Sequence, residues 1–383
     1  MKDVVIRNTL AEQYICGARK TYRSGVFQES DSDSKMLIGH ISDIHGDIPR
    51  LTNAMDLFAQ YAPEFVVCSG DNVYWNMSED HHYIANIFSQ SDIPAYICIG
   101  NHDTFMDKPS TILPRHECGV LLRNEDGVSL TDAYLHQAFV EEMKNIKGDE
   151  DKAGYFYVDF EKRGVRLVVL NDYEYYHENC KIRNKYTILE KQANWLIHVL
   201  KDAAAKEYGV IIADHEGPGK VKMGENKFCQ REEPHPWGIP KFDTPSTDIL
   251  CDIVDAYKHA KTLHGNYYFP TSNQTVTVDC TFEKHGEFIA YLSGHRHGDY
   301  VGYLEKYPDQ LSLNMTTSCC DLRYYQNSVG ETASDLPRIP GTASEDCINF
   351  YIIDRSKKQV TIVRAGACIN DELDQRLFER LNY

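Results

Sequence analysis

The sequence has no apolar run long enough to cross a membrane. A spanning helix needs about 18 or more consecutive apolar residues, and no stretch of the 383 residues approaches that length. The first residues, Met1 to Arg7, contain no long apolar core, so they do not resemble a secretion signal. We therefore predict a cytoplasmic protein with no membrane partner.

Positive charge is also scarce. The chain has 40 Lys and Arg against 57 Asp and Glu, which gives a formal net charge of −17. Surfaces that bind nucleic acid need an excess of basic residues to pair with phosphates. The charge balance disfavours a nucleic-acid partner and a nuclease activity, although it is compatible with a local basic pocket.

Paired cysteine motifs are missing as well. The chain has 12 cysteines but no CxxC pair, and Cys68 and Cys98 lie inside apolar runs. Cysteines in such runs are usually small core residues. Without a secretion signal, this pattern predicts reduced thiols in a cytoplasmic protein.

What the sequence does contain is an alternation of short apolar runs and helical patterns. The runs are apolar on both faces and rich in β-branched residues, as expected of strands buried between layers. They cover Met36–Ile41, Phe65–Cys68, Ala95–Ile99, Val165–Leu170, Val210–Ala213 and Phe288–Leu292. Helical patterns lie at 49–60, 187–206 and 248–261. This alternation predicts an α/β layered architecture.

The domain organisation follows from the same pattern. We predict an N-terminal extension over 1–35, one domain over 36–370 and a helical tail over 371–383. Within the domain, region 217–274 is rich in Gly, Pro and polar clusters, and we interpret it as an insertion or long loops around one helix. Two apolar runs around a polar turn predict a β-hairpin over 348–364.

Polar side chains follow five of the predicted strands directly. In open α/β sheets, ligands bind outside the carboxyl ends of the strands. We therefore expect these segments to bring Asp, His and Asn side chains to one edge of one sheet. The segments are Ser42–Asp47, Gly70–Asn72, Gly100–Asp103, Asp214–His215 and Gly294–Asp299.

These side chains form a metal-binding set. Imidazole together with carboxylate suits Zn, Fe, Mn, Co or Ni, whereas Ca prefers cages of oxygen atoms. Four His, two Asp and one Asn exceed the ligands that one catalytic ion usually takes, but they suit two ions that share a carboxylate. The candidate ligands are Asp43, His45, Asp71, Asn101, His215, His295 and His297.

At these residues the sequence resembles the calcineurin-like metallophosphoesterases. That superfamily has the pattern DxH, GD, GNH[DE], a later isolated His, and GHxH. The matching residues here are Asp43/His45, Gly70-Asp71, Gly100–Asp103, His215 and Gly294–His297. The resemblance covers roughly residues 36–368. It implies two mixed β-sheets packed face to face with helices outside, a four-layer sandwich, and a di-metal phosphoesterase site.

The resemblance also implies a role for each residue. Asp43, His45, Asp71 and His297 would hold the first metal, and Asp71, Asn101, His215 and His295 the second, with Asp71 bridging. His102 would be the catalytic histidine that binds no metal. The cofactors would be two divalent or trivalent transition-metal ions, Mn, Fe or Zn. A hydroxide bridging them would attack the phosphorus of a phosphate mono- or diester.

Two related subfamilies differ at the residues after Asp71. The segment from Gly70 to Tyr74 also fits the GDxxY pattern of purple acid phosphatases, in which the tyrosine binds ferric iron. Those enzymes lack the histidine that stands here as His45, so we interpret Tyr74 as a wall residue of the site. Protein Ser/Thr phosphatases have the signature GDxxDRG, whose Asp and Arg correspond to Tyr74 and Trp75 here, and this difference disfavours a phosphoprotein substrate.

Three functions stay open at this point. The first is a two-metal phosphoesterase acting on a small molecule such as a nucleotide or a phosphorylated sugar or lipid headgroup. The second is a catalytically weak binding module on the same fold, and the third is a purple-acid-phosphatase-like phosphomonoesterase. The complete set of ligands favours the first. The candidates for contact with its substrate are Arg296, Tyr74 and Asp103.

Overall fold

The computed structural model describes residues 35–73, 78–106, 122–124, 127–130, 132–174, 186–218, 245–269, 274–295, 299–315, 347–366 and 378–383. The strands in these ranges are β1 (Lys35–Ile41), β2 (Phe65–Cys68), β3 (Ala95–Ile97), β4 (Phe105–Met106), β5 (Leu122–Asn124), β6 (Gly127–Ser129), β7 (Phe156–Phe160), β8 (Val165–Val169), β9 (Gly209–Ala213), β10 (Thr262–Phe269), β11 (Gln274–Thr281), β12 (Glu287–Ser293), β13 (Asp299–Tyr303), β14 (Leu311–Met315), β15 (Cys347–Asp354), β16 (Gln359–Gly366) and β17 (Phe378–Asn382).

The helices alternate with these strands. They are α1 (Ile48–Tyr61), α2 (Ser78–Ser89), α3 (Asp132–Leu135), which continues as a π-helical turn over His136–Val140, α4 (Glu190–Ala205) and α5 (Pro245–His259). A further single turn of 3₁₀-helix covers His102–Thr104. Among the described residues, no helix has the length and apolar character needed to cross a membrane.

Two six-stranded mixed sheets dominate the described part of the chain. The first has the strand order β17-β16-β15-β1-β2-β3, and the second has the order β13-β14-β12-β9-β8-β7. Strands β1, β2 and β3 run parallel in the first sheet. Strands β8, β9, β12 and β14 run parallel in the second. Smaller sheets are the hairpin β10-β11 and the three strands β4-β6-β5.

Side chains of the second sheet alternate between two cores. Leu167 belongs to the core that both large sheets share, whereas its neighbour Val168 packs with apolar residues of α4 and α5 on the opposite face. Between the sheets, the ring of Phe65 on β2 stacks on Phe160 on β7 with centroids 4.5 Å apart. A period of two is what a strand buried on both faces requires. The prediction of two face-to-face sheets with helices outside is confirmed.

Helix α1 covers the outer face of the first sheet. The Asp47 side chain caps its start by accepting the N–H of Arg50. Buried apolar residues at helical spacing, including Leu51 and Phe58, form the face turned to the sheet. The Phe58 ring meets Phe350 on β15 at a centroid distance of 5.3 Å. Burying a side chain of this size contributes about 1.5–3 kcal/mol.

The predicted strands are confirmed. Phe65–Cys68 agrees at both ends, and the other five runs agree to within two residues. The hairpin predicted over 348–364 is the antiparallel pair β15 and β16, closed at the pair Asp354 and Gln359.

Two predicted segments need correction. The tail predicted as a helix forms β17 over Phe378–Asn382, because that segment pairs with the edge of β16 and so satisfies its backbone groups. Region 217–274 contains α5, β10 and β11, whose buried residues pack in the core on the outer face of the second sheet. The described residues 245–269 of this region therefore form part of a covering layer of the domain. Residues 1–34, 219–244 and 371–377 lie outside the described part.

Candidate active site

The predicted metal ligands come from both large sheets. Asp43, Asp71 and Asn101 follow β1, β2 and β3 of the first sheet, whereas His215 and His295 follow β9 and β12 of the second. The prediction that one edge of one sheet carries all five segments is therefore wrong. Because the sheets pack face to face, the ends of their parallel strands meet at a shared edge.

The loops that carry these residues approach one another closely. His45 N donates to Asp71 O at 2.9 Å, which lays the first loop on the second. Gly70 has a φ of +84°, and a side chain there would collide with the ring of His215. A side chain at Gly100 would collide with the backbone nitrogen of Asp71. The glycines of the GD and GNH motifs thus permit the loop packing that brings the ligands together.

Several ligand positions also have unusual backbone conformations. The φ angles are 53° at Asp43, 49° at His45, 52° at Asp71 and 71° at His295. Residues other than glycine rarely adopt this left-handed region, which costs about 1–3 kcal/mol at each position. Such conformations persist where the surroundings hold them, and they cluster at functional sites. Strain at four candidate ligands is a signal independent of their chemistry.

Four of the candidate ligands form a compact group, which we call the tight cluster: Asp71, Asn101, His215 and His295. His215 Nε2 lies 3.2 Å from both Asp71 Oδ2 and Asn101 Oδ1. His295 Nδ1 lies 3.0 Å from Asn101 Oδ1 and 3.2 Å from His215 Nε2. The other ring nitrogen of His215, Nδ1, donates to Ser69 O at 2.6 Å. Since a carbonyl only accepts, Nδ1 carries a hydrogen, and in the neutral form of the ring the lone pair at Nε2 faces the cluster.

The tight cluster fits a transition-metal ion. Metal–ligand bonds of about 2.0–2.2 Å place neighbouring ligand atoms about 3.0–3.5 Å apart. The distances of 3.0–3.2 Å between the nitrogen and oxygen atoms here agree with that spacing. Two imidazoles, a carboxylate and an amide oxygen suit Zn, Fe or Mn. At these distances the lone pairs of the nitrogen and oxygen atoms in the tight cluster repel one another unless a cation or a proton lies between them.

A second group surrounds the same carboxylate, and we call it the wide cluster: Asp43, His45, Asp71 and His102. His45 Nε2 lies 4.0 Å from Asp43 Oδ1 and 3.7 Å from Asp71 Oδ2. His102 Nε2 lies 3.9 Å from Asp71 Oδ2, and its backbone N donates to Asp71 Oδ1 at 2.8 Å. Asp71 Oδ2 therefore faces both clusters, as expected of a bridging ligand. His297, Arg296 and Tyr74 lie outside the described residues.

Charge at the site is strongly coupled. Burial by itself would raise the pKa of the Asp71 carboxyl, but His215 and His102 outweigh it and hold this pKa well below its usual range. Burial would lower the pKa of His215, yet the carboxylates of Asp71 and Asp43 raise it well above its ordinary value. Burial raises the pKa of Asp43 to about 8. The buried carboxylates thus require positive charge beside them, which metal ions supply.

Asp103 lies behind the loops. It is fully buried, and its Oδ1 accepts from the backbone N of Asn72 at 2.8 Å and of Val73 at 3.1 Å. Its Oδ2 accepts from Gly100 N at 2.8 Å and Asn72 Nδ2 at 2.9 Å. One carboxylate therefore joins the loop after β2 to the loop after β3. This placement favours a bracing role over the substrate contact predicted from the sequence.

Two serines contribute to the site without having been predicted. Ser42 Oγ donates to the Asp43 carboxylate, and the Ser69 carbonyl accepts from the His215 ring. Each serine stands directly before or within a metal-binding motif, which is the one signal the sequence offers. The partner of Ser69 is 146 residues away, so spacing along the chain gives no indication of the contact.

Comparisons with known proteins bear on the family and the fold of the chain. The model of the calcineurin-like phosphoesterase family matches residues 36–299, which is more than half of the chain. A dimetal phosphatase from Danio rerio has a similar structure, with a TM-score of 0.51 and 11% identity over 91% of this chain and 99% of that one. At that identity the likeness shows the fold alone.

A curated relative matches a shorter part of the sequence. The sphingomyelinase phosphodiesterase C of Dictyostelium discoideum is 26% identical over 170 residues, which is 41% of this chain and 34% of that protein. The chain thus spans about a third of the relative's length. The family match, the two face-to-face sheets and the convergence of the motif residues lead to one conclusion. The chain belongs to the calcineurin-like phosphoesterase family.

Proposed function

We propose that this chain is a two-metal phosphoesterase that hydrolyses small phosphate mono- or diesters. The observation that carries the proposal is the position of Asp71, whose Oδ2 lies 3.2 Å from His215 Nε2 and 3.7 Å from His45 Nε2. One buried carboxylate between two groups of imidazoles is the arrangement that a pair of ions needs. Family membership supports the hydrolase class.

The chain's residues would divide between two ions. The tight cluster would hold one, and Asp43, His45, Asp71 and His297 would hold the other. When bound, such a pair neutralises the charge of a phosphate ester and lowers the pKa of water toward neutrality. Asn101 is neutral, so it would complete its site without adding repulsion toward the phosphate. The Ser42 hydroxyl, which donates to Asp43, would orient that carboxylate.

His102 is our candidate for the group that acts on the leaving oxygen. This residue is 8% exposed, and its ring packs edge-on against His45 with centroids 4.7 Å apart. A histidine beside the reacting phosphate can donate a proton to the departing alkoxide. The competing role is that of a ligand, since His102 Nε2 and His45 Nε2 lie at similar distances from Asp71, 3.9 Å and 3.7 Å.

The placement of His45 supports this assignment over a tyrosine-ligated iron site. His45 lies within the ligand group around Asp71, in the position that purple acid phosphatases leave without histidine. An iron-loaded protein should therefore have no tyrosinate colour. A purple protein that loses its visible band in Tyr74→Phe would contradict the assignment.

The substrate class rests on several observations. The chain lacks the Asp-Arg pair of the protein phosphatases after Asp71, and its charge of −17 is unsuited to nucleic acid. Because phosphoproteins and nucleic acids are disfavoured, we propose small phosphate esters as the substrate class. The name of the Dictyostelium relative, a sphingomyelinase phosphodiesterase, supports including diesters with a lipid headgroup.

Turnover of model esters tests the proposal. The enzyme is loaded with Mn, Zn or Fe and assayed with p-nitrophenyl phosphate, bis-p-nitrophenyl phosphate and p-nitrophenylphosphorylcholine. We expect metal-dependent release of p-nitrophenolate from at least one ester and its loss with a chelator. His264→Asn is the matched control, because His264 is an exposed histidine on β10. A protein that binds two ions yet hydrolyses no ester would instead be a binding module.

A further inference from the structure

A buried histidine outside the predicted motifs links the two sheets beneath the site. His40 on β1 is fully buried, and both its ring nitrogens have partners. Its Nδ1 lies 2.9 Å from Tyr351 Oη, and its Nε2 lies 2.9 Å from Ser69 Oγ. Ser69 Oγ in turn donates to Leu292 O at 3.3 Å. This chain of hydrogen bonds runs from β15 through β1 to β12 of the second sheet.

One arrangement of the protons satisfies all three of these contacts at once. Leu292 O only accepts, so the Ser69 hydroxyl hydrogen is used there. Ser69 Oγ must then accept from His40 Nε2–H. That leaves His40 Nδ1 as an acceptor, which takes the hydrogen of the Tyr351 hydroxyl. Burial, and to a lesser degree Arg364, lowers the pKa of His40 to about 3, so the ring stays neutral near pH 7.

Ser69 and Leu292, the last two residues in this series of hydrogen bonds, also hold His215. The Ser69 carbonyl accepts from His215 Nδ1 at 2.6 Å, and Ser69 N donates to Ile41 O at 2.9 Å. The Leu292 carbonyl that binds the Ser69 hydroxyl also accepts from Asp214 N at 3.1 Å. The Ser69 carbonyl therefore holds the ring of His215, and the Leu292 carbonyl holds the backbone just before it.

We propose that Tyr351, His40 and Ser69 form a positioning relay that sets the orientation and tautomer of His215 for metal binding. The relay rests on the proposed function because it treats His215 as a metal ligand. Metal-binding histidines usually donate their other ring N–H to a fixed acceptor, and loss of that support lowers metal affinity about 10–100-fold. All three relay residues act through His215, and none of them reaches the substrate.

Metal affinity of relay variants tests the proposal. The variants are Ser69→Ala, which removes the hydroxyl but keeps the carbonyl, and Tyr351→Phe. The matched control is Tyr96→Phe, because Tyr96 is also buried in the first sheet but donates to Lys144 O, away from the site. Zinc dissociation constants are measured by competition with a chelator on folded protein.

For Ser69→Ala we expect about 10–100-fold weaker binding of one zinc equivalent, with the other unchanged. Tyr351→Phe should weaken the same equivalent by a smaller factor, and Tyr96→Phe should not change it. Ser69→Thr, which keeps the hydroxyl, should restore much of the affinity. If Ser69→Ala lowers the melting temperature but binds both ions as the parent does, Ser69 is merely structural and the relay is overturned.

A spectroscopic test covers the case in which Ser69→Ala does not fold. Imidazole ¹⁵N chemical shifts of the zinc-loaded parent should show hydrogen on Nε2 of His40 and on Nδ1 of His215. The opposite tautomer at either ring would overturn the relay. If the parent binds none of zinc, manganese and iron, the proposed function fails. The same spectra of the protein as purified then still show whether the relay exists.

Discussion

The tight cluster and the wide cluster differ in how closely their ligand atoms approach one another. In the tight cluster, adjacent donor atoms lie 3.0–3.2 Å apart. In the wide cluster, the distances between Asp71 or Asp43 and the two histidines are 3.7–4.0 Å. The tight cluster draws its ligands from both sheets, whereas the described ligands of the wide cluster come from loops of the first sheet alone.

The difference indicates which interactions prearrange a metal site. Packing the sheets together forces residues after β2, β3, β9 and β12 into contact, and Ser69 fixes the His215 ring from behind. A preorganised site loses less free energy on ordering its ligands, so it binds more tightly. We therefore expect the tight cluster to fill first as metal is added.

The largest effect should come from the residue that both clusters share. Asp71→Asn keeps the shape of the side chain but removes the charge between the ions. We expect loss of both metals and a fall in turnover of roughly 10³-fold or more, since two-metal chemistry depends on both ions. Elemental analysis and ester hydrolysis are the measurements, with the exposed Asp56→Asn on α1 as the control. A variant that keeps two ions would remove Asp71 from the bridging position.

His102 should behave differently from His45, the other histidine of the wide cluster. His102→Asn should retain both ions and lower turnover by roughly 10²–10⁴-fold, the usual contribution of a general acid. The loss should be largest for alkyl phosphates and smaller for p-nitrophenyl esters, whose leaving oxygen needs little protonation. Loss of an ion would make His102 a ligand. Equal losses for both ester types would indicate contact with the phosphoryl oxygens.

The brace formed by Asp103 should affect both clusters moderately. In the parent protein, the backbone N–H groups of Asn72, Val73 and Gly100 donate to the carboxylate oxygens of Asp103. In Asp103→Asn, an amide nitrogen would replace one of those oxygens, and it cannot accept a hydrogen bond from an N–H group. Leaving a buried donor unsatisfied costs about 1–3 kcal/mol. Urea unfolding should show a loss of that size. An unchanged unfolding free energy would show that the loops do not depend on the brace.

The smallest effect concerns the pH dependence of the unfolding free energy, through His40 behind the tight cluster. The pKa of His40 is lowered to about 3 in the folded protein, against 6.5 in an unfolded chain. Between these values the unfolded state binds more protons, so stability from this group is present above pH 6.5 and is lost as pH falls. The loss is about 1.4 kcal/mol per pH unit. His40→Gln should reduce the slope of unfolding free energy between pH 6.5 and 5 accordingly; an unchanged slope would contradict a buried neutral His40.

Much of the fold, and the six candidate ligands that the structure brings together, could be predicted because both depend on local sequence. Buried strands such as Phe65–Cys68 are continuous apolar runs, and the ligands follow them within a few residues. Contacts between distant segments could not be predicted. The pairing of β17 with β16 overrode a polar pattern that suggested a helix. The role of Asp103 depends on backbone N–H groups, which every residue but proline carries and which leave no trace in sequence.

The most direct test of the account is a metal titration of the chelator-treated protein, followed by elemental analysis and calorimetry. We expect two equivalents of Zn or Mn per chain, bound in two steps. His215→Gln should remove the tighter step, and His45→Gln should remove the weaker one. A reproducible value of one equivalent or less in the parent protein would contradict the two-metal centre. Loss of the tighter step in His45→Gln would reverse the order of the two clusters.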